Sequence, residues 1–105
     1  MVLAREVAKW YLRLRPTDRA IVDEAIGLLK QQGNQLGMPW SRPLGRGLLE
    51  LRFNLANKAQ RITYTFDPDR RIITLTTFTK QRDNESVEIR CARRVLAKLR
   101  QRRSQ

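Results

Sequence analysis

Histidine is absent from this chain of 105 residues, and cysteine occurs once, at Cys91. Histidine is the commonest general base and the usual zinc ligand, so its absence removes histidine-based catalysis and the common zinc centres. A single cysteine excludes an internal disulfide and any metal site built from several cysteines. We therefore expect neither a metal ion nor a cofactor.

Long apolar runs are also lacking. No segment approaches the roughly 18 consecutive apolar residues that a membrane-spanning helix needs. The first residues do not show the apolar stretch and small-residue cleavage site of a signal peptide. These absences predict a cytoplasmic protein that does not contact a membrane. With 41% apolar and 30% charged residues, the chain suits one compact domain over residues 1–105.

Acidic residues are few compared with basic ones. Lys and Arg number 22 against 10 Asp and Glu, so the formal net charge is +12, and residues 39–105 carry +10 of it. Arginine supplies 17 of the 22 basic side chains, and its planar guanidinium suits phosphate. A field of this sign attracts a polyanion, so nucleic acid is the favoured partner and an acidic protein is the alternative.

Apolar periodicity predicts an αα-hairpin over residues 1–33. Apolar side chains recur every three or four positions in a first helix over residues 4–14 and again in a second helix. Pro16 suits the first position of the second helix, and Gly33 is expected to end it. Residues 34–47 contain three glycines and two prolines, which predicts a surface loop.

From residue 48 the apolar period changes to two, which is typical of half-buried strands. Three antiparallel strands are predicted between residues 48 and 80. A basic C-terminal helix is predicted over residues 84–103, capped by Asp83 or Asn84. The predicted fold class is α+β: a helical hairpin, a three-stranded β-meander and a final helix.

The strand register is predicted by keeping apolar residues on one face, because a slip of one residue would bury arginines. This rule turns Ile73 and Leu75 inward. The expected cross-strand pairs are Phe66 with Arg71 and Phe53 with Ile62.

The opposite face of the predicted sheet carries cations and threonines. Arg52 and Arg61 are expected one diagonal step apart, with Lys80 and Arg82 leaving the strand end nearest Arg61. Like charges on neighbouring strands repel each other, so their convergence predicts an anion site. The alternative is a solvated face whose arginines extend into water, with Glu50 as a salt-bridge partner. The residues of this face are Arg52, Arg61, Thr63, Thr65, Thr74, Thr76 and Phe78.

Three segments resemble the phage-derived branch of the RelE/HigB-type toxins. Residues 43–52, PLGRGLLELR, are similar to that family's L-G-x-G-L-x-E-L-R signature, and residues 61–66, RITYTF, are similar to its R-I-x-Y-x-F strand. Residues 78–92 follow its F-x-K…E-I…A ending. The resemblance implies a RelE-like fold. Many members begin with a β-strand, whereas only residues 1–3 precede the first helix here, so the sheet is expected to lose that edge strand or to pair there with another segment.

The function implied by the resemblance is that of a toxin from a type II toxin–antitoxin system. Such toxins inhibit translation as ribosome-dependent mRNA endonucleases, without a metal, through attack of the RNA 2′-OH on its own 3′-phosphate. The implied partners are mRNA on the ribosome and a cognate antitoxin, usually of the helix-turn-helix type. Two alternatives remain: a non-catalytic RNA- or ribosome-binding module on the same fold, and a basic segment from Arg90 to Arg103 that docks an acidic antitoxin.

The resemblance also implies four catalytic residues. Arg61 matches the family's phosphate-binding arginine, Arg52 matches the arginine of its E-L-R segment, and Lys80 and Arg82 fall in its Lys/Arg cluster. Arg52 and Arg61 are expected to clamp the scissile phosphate, Lys80 to accept the 2′-OH proton, and Arg82 to stabilise the leaving 5′-oxygen. Glu50 is an alternative base.

Further residues are predicted to contact RNA. Phe78 is an aromatic residue on the polar face, and its ring can stack on a base or can pack under the last helix instead. Several family members place a Tyr or His near that helix for acid–base work, and residues 84–87 contain neither, which leaves the chemistry to Lys and Arg. The predicted RNA-binding residues are Arg46, Lys58, Phe78, Gln81 and Arg90.

Overall fold

The computed structural model describes residues 1–81 and 85–104 of the chain. Within that part, three α-helices and four β-strands occur. In chain order they are α1 (Arg5–Leu12), α2 (Pro16–Gln32), β1 (Ser41–Gly45), β2 (Leu48–Leu55), β3 (Lys58–Phe66), β4 (Ile72–Lys80) and α3 (Ser86–Arg103), with a 3₁₀ turn at Gly33–Gln35. The predicted α+β class is confirmed, whereas the predicted number of three strands is wrong. The predicted caps of the last helix, Asp83 and Asn84, lie outside the described residues.

Helices α1 and α2 form the predicted hairpin. Arg15 is extended, with φ −67° and ψ 154°, because the ring of Pro16 disfavours a helical residue before it. Pro16 then begins α2. Gly33 ends α2 with φ +57°, a left-handed conformation that glycine adopts without strain. Helix α1 ends at Leu12, so the prediction that extended it to residue 14 is slightly too long.

Strand β1 lies in the segment that was predicted to be a loop, and that prediction is wrong. Its five residues, SRPLG, pair antiparallel with β2 at the edge of a sheet ordered β1-β2-β3-β4. Pro43 has no N–H to donate, so a strand that contains it is confined to a sheet edge. Only Ser41 of the strand is buried, and no alternating apolar pattern marks it in the sequence.

The turn between β1 and β2 explains the G-x-G spacing of the sequence. Gly45, Arg46 and Gly47 all have positive φ, at 94°, 56° and 82°. Successive left-handed residues tighten a hairpin, and glycine enters this region at little cost. The two glycines therefore set the geometry with which β1 meets β2.

The β2–β3 register differs from the predicted one by two residues. Phe53 pairs with Gln60 instead of Ile62, and Arg52 pairs directly with Arg61. A shift of two residues keeps every side chain on its predicted face. The predicted diagonal relationship of Arg52 and Arg61 is thus corrected to a direct cross-strand pair.

The β3–β4 register also differs, and here faces change. Phe66 pairs with Ile72, one residue from the predicted partner, and the register shifts again between Thr63 and Tyr64. Such a shift is a β-bulge, which an alternating sequence pattern does not reveal. The offset of one residue at the Phe66–Ile72 end pairs Ile73 with Thr65, so Ile73 packs against the cluster under α3 instead of the cluster under the helical hairpin, and Leu75 also belongs to the α3 cluster. Beyond the bulge the offset is two residues, which returns Thr76 and Phe78 to the predicted face.

Both faces of the sheet are covered by apolar clusters, so the alternative of a solvated face is wrong in its central part. The threonines there are buried, and Thr63 and Thr76 join their hydroxyl groups at 2.6 Å. The cluster under the helical hairpin contains Val7, Val22, Leu29, Leu51, Leu55, Ile62, Tyr64 and Ile72. The cluster under α3 contains Leu48, Leu75, Ala92 and Leu96.

The N-terminal residues pair with the free edge of β4. Val2 forms a parallel bridge with Ile73. The Val2 N–H donates to the Ile72 carbonyl at 2.8 Å, and the Thr74 N–H donates to the Val2 carbonyl at 2.9 Å. The expected loss of an edge strand is therefore partly offset by this single bridge.

Candidate functional site

Charged residues gather on the α3 face of the sheet, beyond the apolar cluster that the helix covers. Arg52 and Arg61 share this face because direct cross-strand partners point the same way. Glu50 shares it because it lies two residues from Arg52 along β2. Lys80 ends β4, and Glu85 immediately precedes α3. We call Glu50, Arg52, Arg61, Lys80 and Glu85 the charge cluster.

Two carboxylates link the three cations of the charge cluster. The Nε atoms of Arg52 and Arg61 each lie 3.8 Å from Glu50 Oε1. Arg61 Nε is also 3.6 Å from Glu85 Oε1, and Lys80 Nζ is 3.8 Å from that same oxygen. The sequence-predicted residues Arg52, Arg61 and Lys80 are thus brought together in one chain of ion pairs.

The carboxylates lie deeper than two of the three cations. Glu50 is 0% exposed and Arg61 is 5% exposed, whereas Arg52 and Lys80 are partly exposed. The four pairs are longer than hydrogen bonds. Among the described residues, neither oxygen of Glu50 has a hydrogen-bond partner, and neither does Nε of Arg52 or Arg61. Buried polar atoms are normally paired, so this cluster is unusual for a site that serves folding alone.

The environment shifts two pKa values in the charge cluster. Burial raises the pKa of Glu50, the charge of Glu85 raises it further, and Arg61 and Arg52 oppose this without overcoming it. Burial lowers the pKa of Arg61, as does the charge of Arg52, against the opposing effect of Glu50 and Glu85. Both shifts reflect charge held in a poorly hydrated place.

Arg42 and Glu85 are site residues that the sequence reasoning missed. Arg42 pairs with Glu50 across β1 and β2, so its side chain is directed to the same face, and its charge also lowers the pKa of Arg61. Arg42 was hidden in the presumed loop. An acidic residue at the start of a helix is ordinary on dipole grounds, so Glu85 gave no distinctive signal.

A large groove adjoins the charge cluster at the edge of β2. Its volume is about 990 Å³, and one wall is a face of α2. Trp40, which precedes β1, also lines the groove and is 51% exposed. We call this groove the α2 groove. Its lining includes Ala25, Leu28, Gln31, Trp40, Arg52 and Arg61.

The chain was compared with known protein families. The family described as "Phage derived protein Gp49-like (DUF891)" matches residues 9–103, which is nearly the whole chain. The chain belongs to this family. Its members are toxins of toxin–antitoxin systems. The toxin-type family that the sequence segments suggested is therefore confirmed. No curated protein matches the chain.

Other predicted site residues of this Gp49-like chain lie away from the charge cluster or outside the described residues. Arg82 lies outside them. Arg46 lies in the β1–β2 turn, six residues from Arg52 along the chain, which separates them by roughly 15–20 Å. Phe78 is 9% exposed and belongs to the core, which favours the alternative that its ring packs inside the protein over base stacking.

Three further residues predicted to contact RNA are exposed. Lys58 begins β3, at the sheet end where Lys80 ends β4. Gln81 follows Lys80, and Arg90 lies in α3 with its Nε 3.4 Å from the Ser86 carbonyl oxygen. Because they are exposed, all three side chains are available to a ligand. Lys58 lies at the same end of the sheet as Lys80, and Gln81 is the next residue after Lys80.

Part of the basic C-terminal segment of this Gp49-like chain holds the fold together. Arg93 donates to the Leu44 carbonyl at 2.6 Å and to the Gly45 carbonyl at 3.3 Å. Arg100 donates to the Arg46 carbonyl at 2.8 Å. These two side chains fasten α3 to the β1–β2 turn and are not simply a solvated basic face.

The part of the chain that the structure describes contains neither a cluster of metal-binding side chains nor a membrane-spanning helix. Residues 1–81 and 85–104 hold no group of three or more His, Cys, Asp or Glu side chains placed to bind a metal ion. In the same residues, no helix combines the length and apolar character needed to cross a membrane.

Proposed function

We propose that this Gp49-like chain is the toxin of a type II toxin–antitoxin system in the RelE/HigB branch, and that it cleaves mRNA on the ribosome. The observation that carries the proposal is the direct pairing of Arg52 and Arg61, with Lys80 joined to them through Glu85. Three cations in one cluster can help to neutralise the charge that develops on a phosphorane-like transition state. The net charge of +12 favours RNA as the ligand.

Arg52 and Arg61 are assigned to the scissile phosphate. Guanidinium groups bind phosphate oxygens in pairs of parallel hydrogen bonds. Glu50 lies 3.8 Å from the Nε atoms of both arginines. Nη1 of Arg61 donates to the Gln60 carbonyl at 3.1 Å, and Nη1 of Arg52 donates to the Met38 sulfur at 3.3 Å, so the phosphate is assigned to the Nη2 side of each guanidinium. Glu50 has no exposed surface, so the alternative that it accepts the 2′-OH proton is not supported.

The Lys80–Glu85 pair is assigned to proton transfer. In this pair the carboxylate of Glu85 accepts the 2′-OH proton as the 2′-oxygen bonds to phosphorus. The bond from phosphorus to the 5′-oxygen breaks, and the Lys80 ammonium donates a proton to that oxygen. The ion pair between them, at 3.8 Å, favours this division of roles over the sequence-based hypothesis that Lys80 is the base. The products are a 2′,3′-cyclic phosphate and a 5′-hydroxyl.

A cleavage assay on translating ribosomes tests the proposal. Replacement of Lys80 by Ala is expected to lower the cleavage rate by about 10²–10⁴-fold, the usual contribution of a positioned acid or base. The matched control is Lys9→Ala, which removes an exposed lysine of α1 outside the charge cluster. A wild-type chain that binds RNA without cutting it supports the non-catalytic alternative. Equal activity of both variants would remove Lys80 from the site.

A further inference from the structure

We infer that the α2 groove binds a nucleobase of the RNA, with the Trp40 indole as its stacking surface. The base belongs to a nucleotide next to the phosphate held by Arg52 and Arg61. The inference rests on the proposed function for its choice of RNA, and it assigns a role to a residue that neither the sequence motifs nor the charge cluster includes.

Backbone hydrogen bonds fix Trp40 beside the phosphate-binding arginines. The Arg52 N–H donates to the Trp40 carbonyl at 2.8 Å, and the Trp40 N–H donates to the Gly37 carbonyl at 3.0 Å. Arg52 also lies 3.3 Å from the Met38 sulfur through Nη1. The backbone of Trp40 is therefore held directly against the backbone of Arg52.

The exposure of Trp40 is unusual for a tryptophan in this setting. Half of its surface is open, at 51%, although it adjoins a groove large enough to bury it. An aromatic ring held at the margin of a groove offers its face to a planar ligand, and base–aromatic stacking is tolerant of sequence because every base has a π-face.

The walls of the α2 groove suit a base better than they suit a purely apolar ligand. Ala25 and Leu28, one helical turn apart on α2, provide an apolar surface, while Gln31 and Asn54 bring amide donors and acceptors. Ligand sites typically measure about 300–1,000 Å³, so a groove of about 990 Å³ admits a nucleoside.

Charge identifies the ligand as a nucleotide. Arg61 lines the groove, is 5% exposed, and has no hydrogen-bond partner at Nε among the described residues. Arg52 lines it as well. The groove lining carries these two arginines against one acidic residue, Glu24. A nucleotide, which places a phosphate near the arginines and a base against Trp40 at the same time, therefore matches the lining better than a free base does.

Binding of two RNA probes tests the inference. The first is a single-stranded hexanucleotide with 2′-O-methyl groups, which block cleavage; the second has the same backbone without bases. The wild-type chain is expected to bind the first about tenfold more tightly than the second. Trp40→Ala is expected to lose most of this preference, and Trp40→Phe to keep most of it. Leu12→Ala, which removes another exposed apolar side chain, at 67%, is the control and should match the wild type.

The outcomes separate this inference from the proposed function. Cleavage that persists with no effect of Trp40→Ala on base preference overturns the base site and leaves the nuclease standing. Base preference that depends on Trp40 in a chain that never cleaves supports the base site and overturns the nuclease. If Trp40→Ala leaves RNA binding unchanged but weakens binding of an acidic peptide, the groove binds protein and the inference is wrong.

Discussion

Arg52 and Arg61 face each other directly across the β2–β3 ladder, and both Nε atoms lie 3.8 Å from the same oxygen of Glu50. Two cations at such a position repel each other. Glu50 offsets this repulsion from beneath the sheet surface, so it acts as a positioning residue for the arginine pair. The carboxylate is retained although burial disfavours its charged form.

The first prediction concerns the effect of pH on Glu50. Because the pKa of Glu50 is raised in the folded state, protonation favours folding. The stabilisation that comes from protonated Glu50 is complete below the pKa of Glu in the unfolded chain, about 4.3. It is lost as pH rises through the pKa of Glu50 in the folded chain. Glu50→Gln should therefore gain stability relative to the wild type as pH rises, as measured by urea unfolding between pH 4 and 8. Glu88→Gln, at an exposed position of α3, is the control. A constant difference across this range would contradict the prediction.

The second prediction concerns the replacement of Arg61. Arg61 is buried and pairs with Glu50 and Glu85. Removing one partner of a buried ion pair costs about 3–5 kcal/mol, so Arg61→Ala should lower both stability and cleavage. Arg61→Lys keeps the charge but not the paired hydrogen bonds. It should lose cleavage with a smaller loss of unfolding free energy. Full cleavage by either variant would exclude Arg61 from the phosphate site.

The third prediction concerns the turn between β3 and β4. Burial alone would raise the pKa of Asp67, but backbone and side-chain hydrogen bonds from Arg71, both at 2.8 Å, lower it overall. The stabilisation that comes from the ionised Asp67 carboxylate is therefore present above the pKa of Asp in the unfolded chain, about 3.9. It is lost as pH falls through the pKa of Asp67 in the folded chain. Asp67→Asn should lower the Tm at pH 7 and have little effect near pH 2. Asp69→Asn, an exposed residue of the same turn, should change the Tm little at either pH. An Asp67→Asn effect that is the same at both values would show that the carboxylate charge is not responsible.

The fourth prediction separates the structural from the binding roles of the basic C-terminal helix. Arg93 donates to the Leu44 and Gly45 backbone carbonyls at the end of β1, and a charged hydrogen bond contributes about 1.5–3 kcal/mol. Arg93→Ala should therefore lower the unfolding free energy by about 1–3 kcal/mol. Its neighbour Arg94 is exposed, and Arg94→Ala should change stability by less than about 0.5 kcal/mol. Equal stability of the two variants would contradict the assignment.

The helices and strands β2, β3 and β4 were predictable because their apolar residues repeat with a clear period. Strand β1 was not predictable, because Pro43 and Gly45 are typical of loops. Only one of its residues is buried, so the strand has no alternation of apolar and polar residues. The register of β4 was missed because the turn after Phe66 is one residue longer than predicted, and because the bulge near Thr63 adds a second shift that no alternating pattern reveals.

The candidate site was predicted in part. The arginines at 52 and 61 were found because they share a face by parity and match family segments. Glu85 and Arg42 were missed because their proximity depends on where α3 begins and on an edge strand that the sequence hides. Trp40 was missed because stacking surfaces outside regular elements have no periodic signal.

The chemistry of the RNA ends tests the central claim most directly. That claim is that Arg52, Arg61 and Lys80 surround one phosphodiester during its cleavage. Transcripts from cells that express the chain alone should be mapped at their new termini, with Arg61→Lys as the comparison. We predict cuts within translated codons that end in 2′,3′-cyclic phosphate and disappear in Arg61→Lys. Intact transcripts, or cuts that end in a 3′-hydroxyl, would contradict the claim.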